Sequence, residues 1–236
     1  MKKVILLILL TMPTLFAADI AGDTSALTLG DLMTQTYEEV AGYITANSRY
    51  IQYDSTWVTN SINNACHDIA RKYLAVPRDT TITISDSTEL YELPSDFYAL
   101  DRMSSIKAGV GLENGMTETN AKVVGQKRQS GNVAPLFYII SGHKVQLIPC
   151  NNDSDSVHVY YFARANTLDS TGDTSNISND YKELIVLNAA QRLMRGKLSL
   201  LSEMDKSKLD DISARLKQED DRIKERDKPT LEALPK

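Results

Sequence analysis

The hydrophobic period changes three times along the chain. Residues 28–46, TLGDLMTQTYEEVAGYITA, place Leu29, Leu32, Met33, Val40 and Ile44 on one helical face. Thr28 stands before the run as a cap, and Asp31 follows three residues on, close to a capping box. Residues 54–75 repeat the signal. Val58, Ile62, Ala65, Cys66, Ile69 and Tyr73 recur at helical spacing behind Asp54 or Ser55 as the cap, and Pro77 stops the helix. The opposite face carries Asn60, Asn63, Asn64 and Asp68, which predicts one side against a core and the other toward water or a neighbour.

After Pro77 the period shortens to two. Thr80–Ile84 alternates, as does Leu90–Leu93 before Pro94, and residues 99–107 read as a further strand. Glycine and polar residues then fill 108–132, a long loop with a short element at 122–127 and a small basic cluster, Lys122, Lys127 and Arg128, that reads as a solvated face. Leu136–Ile140 and Val145–Ile148 form a hairpin about Ser141-Gly142. Residues 157–162 are apolar on both faces, which predicts a central strand. Five or six antiparallel strands of this length make a small sandwich or open barrel.

The helical period returns after a polar loop, 164–178. Ser178, Asn179 or Asp180 caps a helix that starts near Tyr181; it is apolar on most sides and should be the most buried. Beyond Gly196, acids and bases intermix and the apolar stripe narrows to Leu209, Ile212, Leu216 and Ile223. Near-heptad spacing of this kind fits a seam against a partner helix, or equally a long surface helix on its own domain. Pro229 is expected to end it, leaving 228–236 as an extended tail that carries Leu231 and Leu234.

The predicted class is α+β. Residues 28–76 and 179–227 form a helical bundle, and 78–165 form an inserted antiparallel β-sandwich or open barrel. The first 18 residues stand apart. A basic Met1-Lys2-Lys3, an apolar run to Phe16 and a small-residue exit at Ala17-Ala18 have the form of a secretory signal peptide; the other reading is an apolar N-terminal segment packed in an assembly. After such a cleavage no stable membrane partner is expected. Export would allow Cys66 and Cys150 to pair, although Cys66 lies on an apolar helical face where a buried thiol is at least as good a reading.

Charge and composition narrow the function classes. The 236 residues carry a net charge of −5, which argues against a broad basic face for gripping nucleic acid. The mean hydropathy of −0.28 excludes a polytopic membrane protein. His67, His143 and His158 lie far apart, and no metalloprotease, P-loop, nucleophile-elbow or dinucleotide-binding pattern occurs. Asn151–Asp155 and Asp169–Asp173 lack the calcium-loop spacing and read as turns. Asp210-Asp211 and Asp220-Asp221 are sequence neighbours and diverge on a helix, so neither pair makes an acid–base couple. No enzyme, cofactor or metal is expected.

Four phrases taken in order carry more. Leu93-Pro94-Ser95-Asp96-Phe97, the run PLFYIISGHKVQLIP at 135–149, YYFAR at 160–164 and DYKELIVLNAAQRL at 180–193 together resemble tailed-phage head-to-tail adaptors, also described as connector or tail-tubular-A-like proteins. The resemblance covers residues 28–227. It implies a homo-oligomeric ring beneath the portal protein, contact with a tail protein, and a channel that passes DNA without reading its sequence. An acidic wall suits that passage. It further implies that 202–236 docks into the portal, through Leu209, Ile212, Leu216, Ile223, Leu231 and Leu234, while the β-domain faces outward or toward the tail. The expected location is the virion, assembled in a host cytoplasm and encoded by a phage or a prophage. The signal-like start supports the alternative of a periplasmic or surface binding module.

Overall fold

A computed structural model describes residues 27–41, 53–85, 90–106, 113–119, 137–148, 156–197, 201 and 203–232. The signal-like segment, the basic cluster at 122–128, Cys150, the 151–155 turn and Leu234 lie outside these residues.

Helix α1 (Leu29–Ala41) begins as its sequence predicts. Thr28 Oγ1 accepts the Asp31 N–H at 3.1 Å and donates to Asp31 Oδ2 at 2.6 Å, so one residue pair closes the first turn. Helix α2 (Ser55–Tyr73) is capped by Asp54, whose carboxylate accepts the Thr56 N–H at 3.1 Å. The chain leaves α2 through Leu74, a left-handed residue with φ of 52°. For a branched side chain this conformation costs about 1–2 kcal/mol. Buried Ala75 and Val76 then anchor the turn into Pro77, which starts β1.

Among the described residues, the insertion holds eight strands: β1 (Pro77–Thr83), β2 (Leu90–Glu92), β3 (Phe97–Ile106), β4 (Glu113–Gly115), β5 (Thr117–Glu118), β6 (Phe137–Ser141), β7 (Lys144–Ile148) and β8 (Ser156–Ala163). They form two four-stranded sheets, ordered β1-β8-β3-β4 and β2-β7-β6-β5. All pairs are antiparallel except β5–β6, which is parallel. Strand β8 is central, and its inner side chains Val157, Val159 and Tyr161 share one core with Val145, Leu147 and Tyr138 of the second sheet. The hairpin between β6 and β7 turns at Gly142-His143, one residue later than the sequence reading. Ser141 pairs with Lys144, and Gly142 alone takes a positive φ, 64°, in the first central position of a two-residue turn. Two short strands, β4 and β5, stand within the stretch read as loop.

A 3₁₀ turn, Asn179–Tyr181, capped by Ser178, leads into α3 (Lys182–Gly196). Leu184, Ile185, Val186, Leu187, Ala189, Ala190, Leu193 and Met194 are all buried, which makes α3 the axis of the helical part. Helices α1, α2 and α4 (Glu203–Glu232) all pack on it. Helix α4 continues through Pro229, contrary to the expectation that the proline would end it and leave the tail from 228 extended. The proline falls in the last turn, where the lost N–H bond leaves little helix beyond it to disrupt. Among the described residues no helix is long and apolar enough to cross a membrane.

Candidate assembly interface

The residues expected to dock on a partner are mostly used inside the chain. Ile212 and Ile223 are fully buried, Leu209 is buried, and Leu216 is half-buried against the same core. The narrow stripe of α4 is therefore a seam with α3 and α2, because a helix that is mostly polar fixes itself through its few apolar positions. These four residues do not form a free docking face. Leu231 stands in the last turn of α4.

Polar contacts flank this seam. Asp220, read from sequence only as half of an acidic pair, receives hydrogen bonds from Lys72 and from the Tyr73 hydroxyl, and Lys224 Nζ lies 2.5 Å from its other oxygen. Burial alone would push this carboxyl up, but the bonds from Lys224, Lys72 and Tyr73 outweigh it and hold the group down at about 2. Tyr73 is raised by burial and by that same carboxylate. Two turns further on, the Tyr181 hydroxyl donates to Asp227 Oδ2 at 2.7 Å, and Arg226 covers the Tyr181 ring at 4.9 Å. Toward α1, Arg215 grips Glu39 through two nitrogens at 3.0 Å and lies 3.6 Å from Glu183. These groups edge a groove of about 850 Å³ between α1, α3 and α4, with Glu38, Lys182 and Arg222 on its walls. A smaller groove of about 260 Å³ between α2, α3 and α4 has Ile69, Leu184 and Leu216 in it and Asp68, Lys72 and Lys217 around it.

The polar loop after β8 is fixed by a residue that sequence placed on the outward face. Asn63 is buried; its Nδ2 donates to the Leu168 carbonyl at 3.0 Å and its Oδ1 accepts the Leu168 N–H at 2.9 Å. The correction has a simple cause: a side-chain amide can pair both backbone groups of a residue in a loop that no strand satisfies. In the same loop Asp173 accepts N–H bonds from Ser170 and Asp169, each at 2.8 Å, and these hold its carboxyl below the usual range. The segment is thus a turn, as its sequence reads.

On the outer face of the first sheet, His158 Nε2 lies 3.0 Å from Asp79 Oδ2 and His158 Nδ1 3.1 Å from the Tyr160 hydroxyl, with Arg102 over the Tyr160 ring at 4.2 Å. Both ring nitrogens are engaged, and the trio ties β1 to β8. Cys66 is a buried free thiol, pushed up to about 12 by burial, and Cys150, its partner if the chain is exported, lies outside the described residues. Among the described residues, no group of three or more His, Cys, Asp or Glu is arranged to hold a metal. Among the described residues, the large apolar groups left exposed are Trp57, with Lys197 Nζ 4.7 Å from its ring, Leu90 and Tyr98.

Comparison with curated proteins found no relative. Comparison with family models found one match, the SU10 adaptor protein, over residues 27–229. It takes in α1 and α2, the whole β insertion, α3 and nearly all of α4. By that match the chain belongs to the SU10 adaptor protein family, whose members are phage head-to-tail adaptors, structural components of the virion.

Proposed function

We propose that this chain forms a ring between the portal and the tail of a phage particle, and that the ring lines the channel through which DNA passes. The observation that carries the reading is the family match running unbroken from α1 to α4, across both the bundle and the insertion. The geometry supports it in two ways. A bundle locked by α3 and clamped by Asp220 and Arg215 is rigid enough to repeat around an axis. A net charge of −5 keeps passing DNA off the wall. Portal docking then falls to the exposed polar face of α4 and to the residues after Asp227, since Leu209, Ile212 and Ile223 are taken up by the core. The projecting β-domain faces the tail. The reading assigns no catalysis.

The test is co-sedimentation of the purified chain with the portal protein of the same phage. Saturable binding of a fixed number of copies per portal is the expected result. A chain that stays in the supernatant at every ratio overturns the portal assignment. The signal-like start favours the export reading, which intact-mass measurement decides: retention of Met1 in native particles rules export out, and processing near Ala17 supports it.

A further inference from the structure

Among the described residues, strand β1 is the outer strand of its sheet, and no strand pairs with the other side of its seven residues. Its register with β8 fixes which backbone groups face outward. Ala163 donates its N–H to the Val76 carbonyl at 2.8 Å. The pairs in step with that bond, Arg78–Tyr161, Thr80–Val159 and Ile82–Val157, are the ones that exchange hydrogen bonds across the ladder. Pro77, Asp79, Thr81 and Thr83 alternate with them and turn their backbone groups to the open side. The missing N–H of Pro77 therefore costs nothing there. The other three keep an outward N–H and carbonyl each, and none of these meets a partner among the described residues.

Open edges are normally guarded by charge, by bulges or by brevity. Here two charged residues of β1 have partners on its own sheet or the adjoining turn. Asp79 is held over the sheet by His158 at 3.0 Å, and Arg78 leans toward Asp96 at 3.8 Å. The register of β1 with β8 is unbroken, whereas that of β3 with β8 shifts twice. The other terminal strands, β4, β2 and β5, have three, three and two residues, so none matches β1 in length. Only β1 matches itself. Laid antiparallel about Thr81, Thr81 faces Thr81 of the copy and Asp79 faces Thr83 twice. That sets three hydrogen-bonded pairs with no like charges opposed. Thr80 then stands opposite Ile82, both half-buried, so the inner layer continues across the join. A register about Asp79 would oppose two carboxylates.

We propose that the chain pairs with a second copy through an antiparallel β1–β1 contact centred on Thr81, joining two sheets into one. The contact is two-fold, and a closed head-to-tail ring has no place for a two-fold contact between its neighbours. The pair is thus a contact separate from any between ring neighbours. The inference stands independently of the ring reading. One strand pair buries less than the ~1,200 Å² of a standard interface, so the association is weak and concentration-dependent.

Analytical ultracentrifugation of the full chain over a wide concentration range tests it. The wild type should show a monomer–dimer equilibrium, and Thr81→Pro, which removes an outward N–H but no bond to β8, should weaken it by at least ~10-fold. Mild oxidation of Thr81→Cys should give a covalent dimer faster than oxidation of Thr83→Cys, because facing residues in such a pair lie about 5.5 Å apart at Cα. A wild type that stays monomeric throughout overturns the proposal, as it would if β1 instead takes a strand from a different protein. So does a dimer that survives Thr81→Pro and gives no preferential Thr81→Cys cross-link. A larger cyclic oligomer indifferent to both substitutions overturns this contact and supports the ring. A β1-linked dimer from a chain that never binds portal does the reverse.

Discussion

At the scale of single residues, two side chains do more than their sequence positions announce. Asn63 is the only bond between α2 and the backbone of Leu168 that the described contacts contain, and it satisfies both the N–H and the carbonyl. Asn63→Ala should therefore cost about 1–3 kcal/mol, because two buried backbone groups lose their partner at once. Urea unfolding measures this, and an unchanged midpoint would show that water replaces the amide without loss. Asp220 makes a prediction about pH. Its folded value, about 2, lies below its ordinary 3.8, so the unfolded chain takes up the proton first. Its contribution is complete above about pH 4 and is lost as the pH falls through about 2. The stability difference between the wild type and Asp220→Asn should close across that window, and a gap independent of pH would count against the clamp. Neither role was legible in the sequence. Asn63 sits among three polar neighbours on one face, and the pattern gives no reason to turn it inward. For Asp220 a signal existed, since Lys224 stands one helical turn on, but the bonds from Lys72 and Tyr73 come from about 150 residues away, far beyond any local pattern.

At the scale of elements, hydrophobic period located nearly everything that local physics controls. The caps at Thr28, Asp54 and Ser178, the central place of β8 and the burial of α3 all follow from residues that are neighbours in sequence. What local pattern could not decide was which surface a stripe faces. Leu209, Ile212 and Ile223 have the spacing of a partner seam and the burial of an intramolecular one, and spacing is the same in both cases. The distinction is measurable. Ile223→Ala should destabilise the isolated chain by about 2–5 kcal/mol, as for any fully buried large aliphatic residue. Lys217→Ala on the rim should stay within about 0.5 kcal/mol. An Ile223→Ala chain as stable as the wild type would return this residue to the partner surface. The passage of α4 through Pro229 and the turn at Gly142-His143 were missed for a related reason. A proline or glycine marks a change of direction to within a residue or a turn, and the surrounding hydrogen bonds fix the rest.

At the scale of the whole molecule, the buried apolar side chains of the bundle and of both sheets form one contiguous cluster among the described residues. Among the described residues, the outer face of α4, the edge of β1, the polar grooves between the helices and the exposed Trp57, Leu90 and Tyr98 are surfaces open to neighbours. The central claim is that copies of this chain form the junction between portal and tail. Electron cryomicroscopy of the neck of the native particle tests it most directly. The account predicts a ring of density immediately below the portal into which residues 27–229 fit as one body, the β-domain on the tail side and the end of α4 against the portal. A neck whose density is complete without this chain, or a chain found only outside the particle, would contradict it.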